Sequence, residues 1–104
     1  MHVCTAIDQA QYFQFDTKYL DDLKNGDIAT TEHFFRYFRK AIAHSLGGRL
    51  PSAYMIEDIQ QETFIRVLRA VQQPGNIRQP ERFGAYVISV SWNILHECLR
   101  QRLH

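Results

Sequence analysis

Between Met55 and Val71 the chain spaces its apolar residues so that only one backbone conformation gathers them on a single side. At about 100° per residue, Ile56, Ile59, Thr63, Phe64, Val67, Leu68, Ala70 and Val71 fall together, the pattern of an amphipathic helix docked on a core. The remaining residues form an outer face carrying Asp58, Gln61, Glu62, Arg66 and Arg69, with Ile65 in its middle. A single exposed Ile is ordinary on a protein surface. Framed by acids, an amide and arginines on a rigid helix, it also has the apolar centre and polar rim of a protein interface.

The flanking sequence predicts more helices and no strands. A short helix is expected from about Thr17, with Tyr19, Leu20 and Leu23, stopped by Asn25 and Gly26. Asp27 is placed to cap a second helix, which runs to about Leu46 with Phe34, Phe35, Phe38, Ile42 and Leu46 at helical intervals and ends at Gly47, Gly48 and Pro51. The central helix is expected over Ile56 to Val71, after Ser52, Ala53 and Tyr54. Residues 72–80 contain Pro74, Gly75 and Pro80, which rule out a continuous helix and predict a surface loop longer than a helix pair needs. Pro80 suits the first turn of a last helix reaching about Leu103. Residues 1–16 are expected as an arm laid on the domain, since Tyr12, Phe13 and Phe15 show no period. The expected architecture is therefore one all-α domain of three to five helices over residues 17–104.

On the last helix Phe83, Val87, Val90, Ile94 and Cys98 cover one side. Arg82, Tyr86, Ser89, Asn93, His96 and Arg100 cluster in a stripe about 80° wide. The stripe holds an aromatic ring, hydrogen-bonding groups and two arginines but no acid, although Glu97 borders it. A solvated face has such a composition, and so does a surface for single-stranded nucleic acid, where rings stack on bases, Arg contacts phosphates and amides read base edges. Charge is divided to match. Residues 1–64 hold six Lys or Arg against nine Asp or Glu, a balance of −3, whereas residues 65–104 hold six Arg against two Glu, a balance of +4.

Several function classes are disfavoured. There is no phosphate-cradling glycine motif, no nucleophile elbow and no paired-histidine zinc motif, since His96 and Glu97 are followed by Cys98 and Leu99, so neither catalysis nor a metal or other cofactor is expected. Cys4 and Cys98 make no ligand or redox spacing and read as reduced thiols in a cytoplasmic protein, with Cys98 on the core side. His33 and His44 are expected as surface or packing residues. No apolar run is long enough to span a membrane, and Met1, His2, Val3 and Cys4 lack the pattern of a signal peptide.

The segment from Glu57 to Leu68 resembles region 2 of bacterial sigma factors, most closely the small extracytoplasmic-function group. Upstream, Leu20, Leu23, Gly26, Asp27, Phe34, Tyr37 and Phe38 are similar to the start of that region. Downstream, Ile77, Pro80, Arg82, Phe83, Ala85, Val87, Val90 and Asn93 are similar to its promoter-binding part, so the resemblance spans roughly residues 18–103. It implies a domain that binds core RNA polymerase and recognises and melts the promoter minus-ten element. The outer face of the central helix, through Asp58, Gln61, Glu62, Ile65 and Arg69, would dock on the clamp helices of the largest polymerase subunit. Arg78, Arg82, Tyr86, Ser89, Val90, Asn93 and Arg100 would hold the non-template strand, with one base taken into a pocket. An anti-sigma factor is a further partner the resemblance allows.

The chain departs from that pattern in places. Tyr86 stands where the family usually has Trp, Ser89 where Arg is common, and Trp92 beside Asn93 is unusual. The helix-turn-helix domain that reads the upstream promoter element has no counterpart within these residues, so on this resemblance the chain is a fragment or a factor unable to read a full promoter alone. Two alternatives share the helices: a protein-interaction adaptor that uses the Ile65 face without touching DNA, and a helix-turn-helix repressor, disfavoured by the long proline-containing loop.

Overall fold

Local hydrogen-bonding groups in the sequence set where the first two helices begin. The computed structural model describes residues 14–49, 53–73 and 75–102, of which four α-helices make up most. Helix α1, Thr17–Lys24, starts where Asp16, in extended backbone, accepts the Tyr19 N–H at 2.8 Å, satisfying one of the donors that a helix start leaves open. It ends at Asn25 and Gly26. Gly26 has φ 79°, a left-handed conformation that glycine takes without a Cβ penalty, and it brings the Asp27 N–H back onto the Asp22 carbonyl at 2.9 Å.

Asp27 then caps helix α2, Ile28–Leu46, accepting both the Thr30 N–H at 3.0 Å and the Thr30 hydroxyl at 2.7 Å. Those two bonds, the hydroxyl's first, hold the Asp27 carboxyl below its usual range. Phe34, Phe38, Ile42 and Leu46 recur every fourth residue and all are buried. The helix exit differs from a simple glycine stop. Gly47 stays right-handed at φ −55°, and the chain tightens into a 3-10 turn over Gly47–Arg49. The expected stop at Pro51 lies outside the described residues.

Helix α3, Ala53–Gln72, is longer than expected at both ends and buries Ile59, Thr63, Phe64, Val67 and Val71. Gln60 is buried too: the helical wheel puts it between Val67 and Val71 on the apolar side, and only its polarity argues for the surface. Its Nε2 donates to the Arg39 carbonyl at 2.8 Å, so a polar side chain in the α2–α3 seam keeps its hydrogen bond. Gln72 Nε2 donates to the Lys24 carbonyl at 2.9 Å, tying the end of α3 to the end of α1. The following loop turns at Gly75, with φ 76°, and re-enters helix through a 3-10 turn at Pro80–Arg82. Helix α4 is Phe83–Arg102.

Helices α3 and α4 share the most extensive contact, α2 packs on both, and α1 sits against α2 and α3. The core between them is aromatic: Phe34 lies 5.5 Å from Phe64 and 6.0 Å from Phe83, centroid to centroid. Phe15, expected on an arm, is only 4% exposed. Its ring stacks on Phe38 at 5.5 Å and meets Phe83 edge-on at 5.2 Å, so the domain begins before α1. The remainder of the expected arm, with Tyr12 and Phe13, lies outside the described residues.

Trp92 is also resolved in role. It is half-buried against the core and donates its indole N–H to the Ser45 hydroxyl at 2.9 Å, joining α4 to α2. Cys98 packs partly buried against the core, as the wheel predicts.

His33 is a packing residue. Its ring stacks on Tyr37 at 5.5 Å, and its Nδ1 lies 2.9 Å from the Tyr19 hydroxyl. Burial, and secondarily the charge of Arg36, pushes its pKa below the usual histidine value, while burial pushes the Tyr19 hydroxyl up. The unfolded chain therefore takes up a proton that the folded one resists. His33 costs nothing above its ordinary pKa, and destabilises the fold progressively as pH falls from about 6.5 toward its depressed folded value. Thermal melts between neutral and mildly acid pH should show a loss of stability that His33→Gln reduces; equal losses in the two proteins would contradict this.

Candidate functional site

Because α3 and α4 lie side by side, their outer faces form neighbouring parts of one surface. On α3, Asp58, Gln61, Ile65 and Arg69 are exposed, with Ile65 at 46%. Glu62, the fifth residue assigned to this face, is half-buried, and its Oε2 accepts from Arg66 Nε at 3.0 Å. The apolar centre and polar rim expected from the spacing are thus present on a helix whose opposite side is locked into the core.

On α4 the exposed stripe is as the wheel draws it. Tyr86, Ser89, Asn93, His96 and Arg100 all face solvent, and Arg82 continues the line from the preceding 3-10 turn. Tyr86, Ser89 and Asn93 occupy two helical turns, about 10 Å along the axis. Val90, expected among them, is half-buried and packs against the core, so it supports the stripe from beneath. Arg78 is exposed on the loop, its Nε 3.4 Å from the Gly75 carbonyl. Beside it, Leu20, Asp21, Lys24, Ile77 and Pro80 border a shallow open cleft between α1 and the loop.

The two faces meet at an ion-pair network that sequence spacing did not reveal. Arg66 Nη1 and Nη2 grip both oxygens of Glu97 at 3.0 and 2.8 Å while Nε holds Glu62. Such a bidentate fork fixes geometry as well as charge. The hydrogen bond from Arg66 holds the Glu97 carboxyl below its ordinary range, and the bonds to Glu97 and then Glu62 push the guanidinium up. Both shifts have the sign of a stabilised pair. In the sequence, Arg66 and Glu62 are visible as an i, i+4 pair, but Glu97 is 31 positions away.

The surface offers hydrogen-bonding groups, an exposed aromatic ring and arginines. Among the described residues no group of three His, Cys, Asp or Glu side chains gathers to hold a metal ion, and no helix is long and apolar enough to cross a membrane. Comparison with known proteins adds no relative: no family model, no curated protein and no solved structure matches the chain.

Proposed function

We propose that the chain is a promoter-recognition domain of the sigma-factor region 2 type, acting in transcription initiation in the cytoplasm without catalysing a reaction itself. The outer face of α3 would dock on core RNA polymerase through Asp58, Gln61, Glu62, Ile65 and Arg69. The α4 stripe would hold the non-template strand of the minus-ten element, with Tyr86 stacking on a base, Asn93 and Ser89 reading base edges, and Arg78, Arg82 and Arg100 at phosphates. The reading is carried by one observation above the rest. An acid-free line of Tyr, Ser, Asn and Arg faces solvent along α4, directly beside an α3 face with an exposed Ile at its centre. Arg78 also lines the open cleft between α1 and the loop.

The same Ile65 exposure is what a protein-interaction adaptor needs, so polymerase binding and DNA binding are tested separately. Ile65→Ala and Glu62→Ala should each weaken binding to core polymerase by about 1 kcal/mol or more, and by about 2 if they lie at the interface centre. Circular dichroism should show the fold retained. Ile65→Ala is the cleaner variant, because Glu62→Ala also releases Arg66 from one of its partners. Unchanged polymerase affinity in both variants would remove this face from the interface.

A further inference from the structure

We propose that Arg66 is a positioning residue for nucleic-acid binding: by gripping Glu97 from the neighbouring helix, it keeps that carboxylate off the α4 stripe and leaves Arg100 available to phosphate. The inference rests on the DNA reading of α4 and adds to it a residue that lies on α3 and touches no base or phosphate itself.

Glu97 is the acid nearest the stripe. It follows Asn93 by four residues and precedes Arg100 by three, and side chains at those spacings are neighbours on a helix surface. Left alone, it has two effects on a bound strand. It places a negative charge beside phosphates, and it offers Arg100 an intrahelical partner that competes with them. Arg100 is already close enough for its charge to contribute to holding Glu97 ionised.

The observed geometry answers both effects. Both Glu97 oxygens are taken by the two terminal nitrogens of Arg66, at 3.0 and 2.8 Å, directing the carboxylate toward α3. Arg66 itself is prevented from swinging away by Glu62, which holds its Nε at 3.0 Å from the previous turn of α3. All three side chains are about two-fifths exposed, so the network lies at the surface beside the stripe rather than beneath it. A guanidinium suits this role better than an ammonium, because it can hold two carboxylates in fixed directions at once.

The test measures binding of a random-sequence single-stranded oligodeoxynucleotide pool to the chain assembled with core polymerase, across a range of salt concentrations. Arg66→Gln should raise the dissociation constant several-fold and make the salt dependence shallower by about 0.7 in slope, the loss of one phosphate contact on a single strand. Adding Glu97→Gln to Arg66→Gln should restore binding, since the carboxylate being restrained is gone. In an Arg100→Ala background, Arg66→Gln should have a smaller further effect, because the competition for Arg100 is gone and only the Glu97 charge beside the phosphates remains. Glu97→Gln alone, which spares Arg66, should bind at least as well as the wild type. Failure of Glu97→Gln to rescue Arg66→Gln would assign Arg66 a direct or purely structural role and overturn the inference. Unchanged binding in Arg66→Gln beside weakened binding in Arg100→Ala would overturn the inference and leave the DNA reading standing. Equal binding in all variants would overturn both.

Discussion

Phe15→Ala is expected to destabilise the domain by about 3–5 kcal/mol, the range for truncating a buried aromatic side chain. The ring is almost fully buried and touches α1 through Tyr19, α2 through Tyr37 and Phe38, and the start of α4 through Phe83. Removing it leaves a void that those rigid neighbours cannot close without moving helices relative to one another. Domains of this size are commonly stable by about 5–15 kcal/mol, so the variant should be visibly compromised at ambient temperature. Urea titration followed by circular dichroism reads this directly. A loss below about 1 kcal/mol would mean that residues before α1 lie on the domain without belonging to it.

Tyr86→Ala should lose about 1–3 kcal/mol of affinity for the non-template minus-ten strand, the usual contribution of one ring stacked on one base. The side chain is 36% exposed near the start of the stripe, and the buried Phe83 and Val87 on the core side of the same turn fix its backbone. The ring is therefore presented on a fixed backbone, and little ordering is required before a base can stack. Asn93→Ala should act differently, relaxing base preference more than it lowers total affinity. Arg82→Ala and Arg100→Ala should weaken all sequences alike, each reducing the salt slope by at most about one unit, because phosphate contacts position a strand without reading it. Fluorescence anisotropy with matched and scrambled strands separates these patterns, and identical losses on both strands for Asn93→Ala would contradict its reading role.

What could be read from the sequence was whatever depends on neighbours within one helical turn. Asp27 and Thr30 are three residues apart, Gly26 terminates α1 by its own φ, and the phenylalanines of α2 declare their face through spacing alone. The exposed stripe of α4 and the Ile65 face of α3 follow from the same arithmetic. The features that escaped are those whose partners are remote. Gln60 is buried because the Arg39 carbonyl, on another helix, accepts its amide, and without that partner a glutamine belongs outside. Trp92 packs because Ser45 receives its N–H. Phe15 stands before the first helix and has no period to show which way it points, so only the assembled aromatic core explains its burial. Val90 came among the strand-holding residues through the resemblance alone, whereas the helical wheel already puts it on the core side of α4, where it is half-buried. The position of Glu97 next to the stripe was legible, but its neutralisation by Arg66 was not, since that requires the packing of α3 on α4.

The central claim is that polymerase and DNA engage neighbouring faces of the α3–α4 pair, and one measurement addresses it most directly. Core RNA polymerase is titrated into a labelled single-stranded minus-ten oligonucleotide with and without the chain, using wild type and a Tyr86→Ala, Asn93→Ala double variant. The account predicts that the wild-type chain enters a polymerase complex and confers salt-sensitive, sequence-dependent binding that polymerase alone lacks. The double variant should enter the same complex and lose most of that binding. If the wild-type chain joins polymerase yet adds no strand binding, or if the double variant binds every strand as the wild type does, the α4 stripe is only a solvated face and the DNA half of the account is wrong.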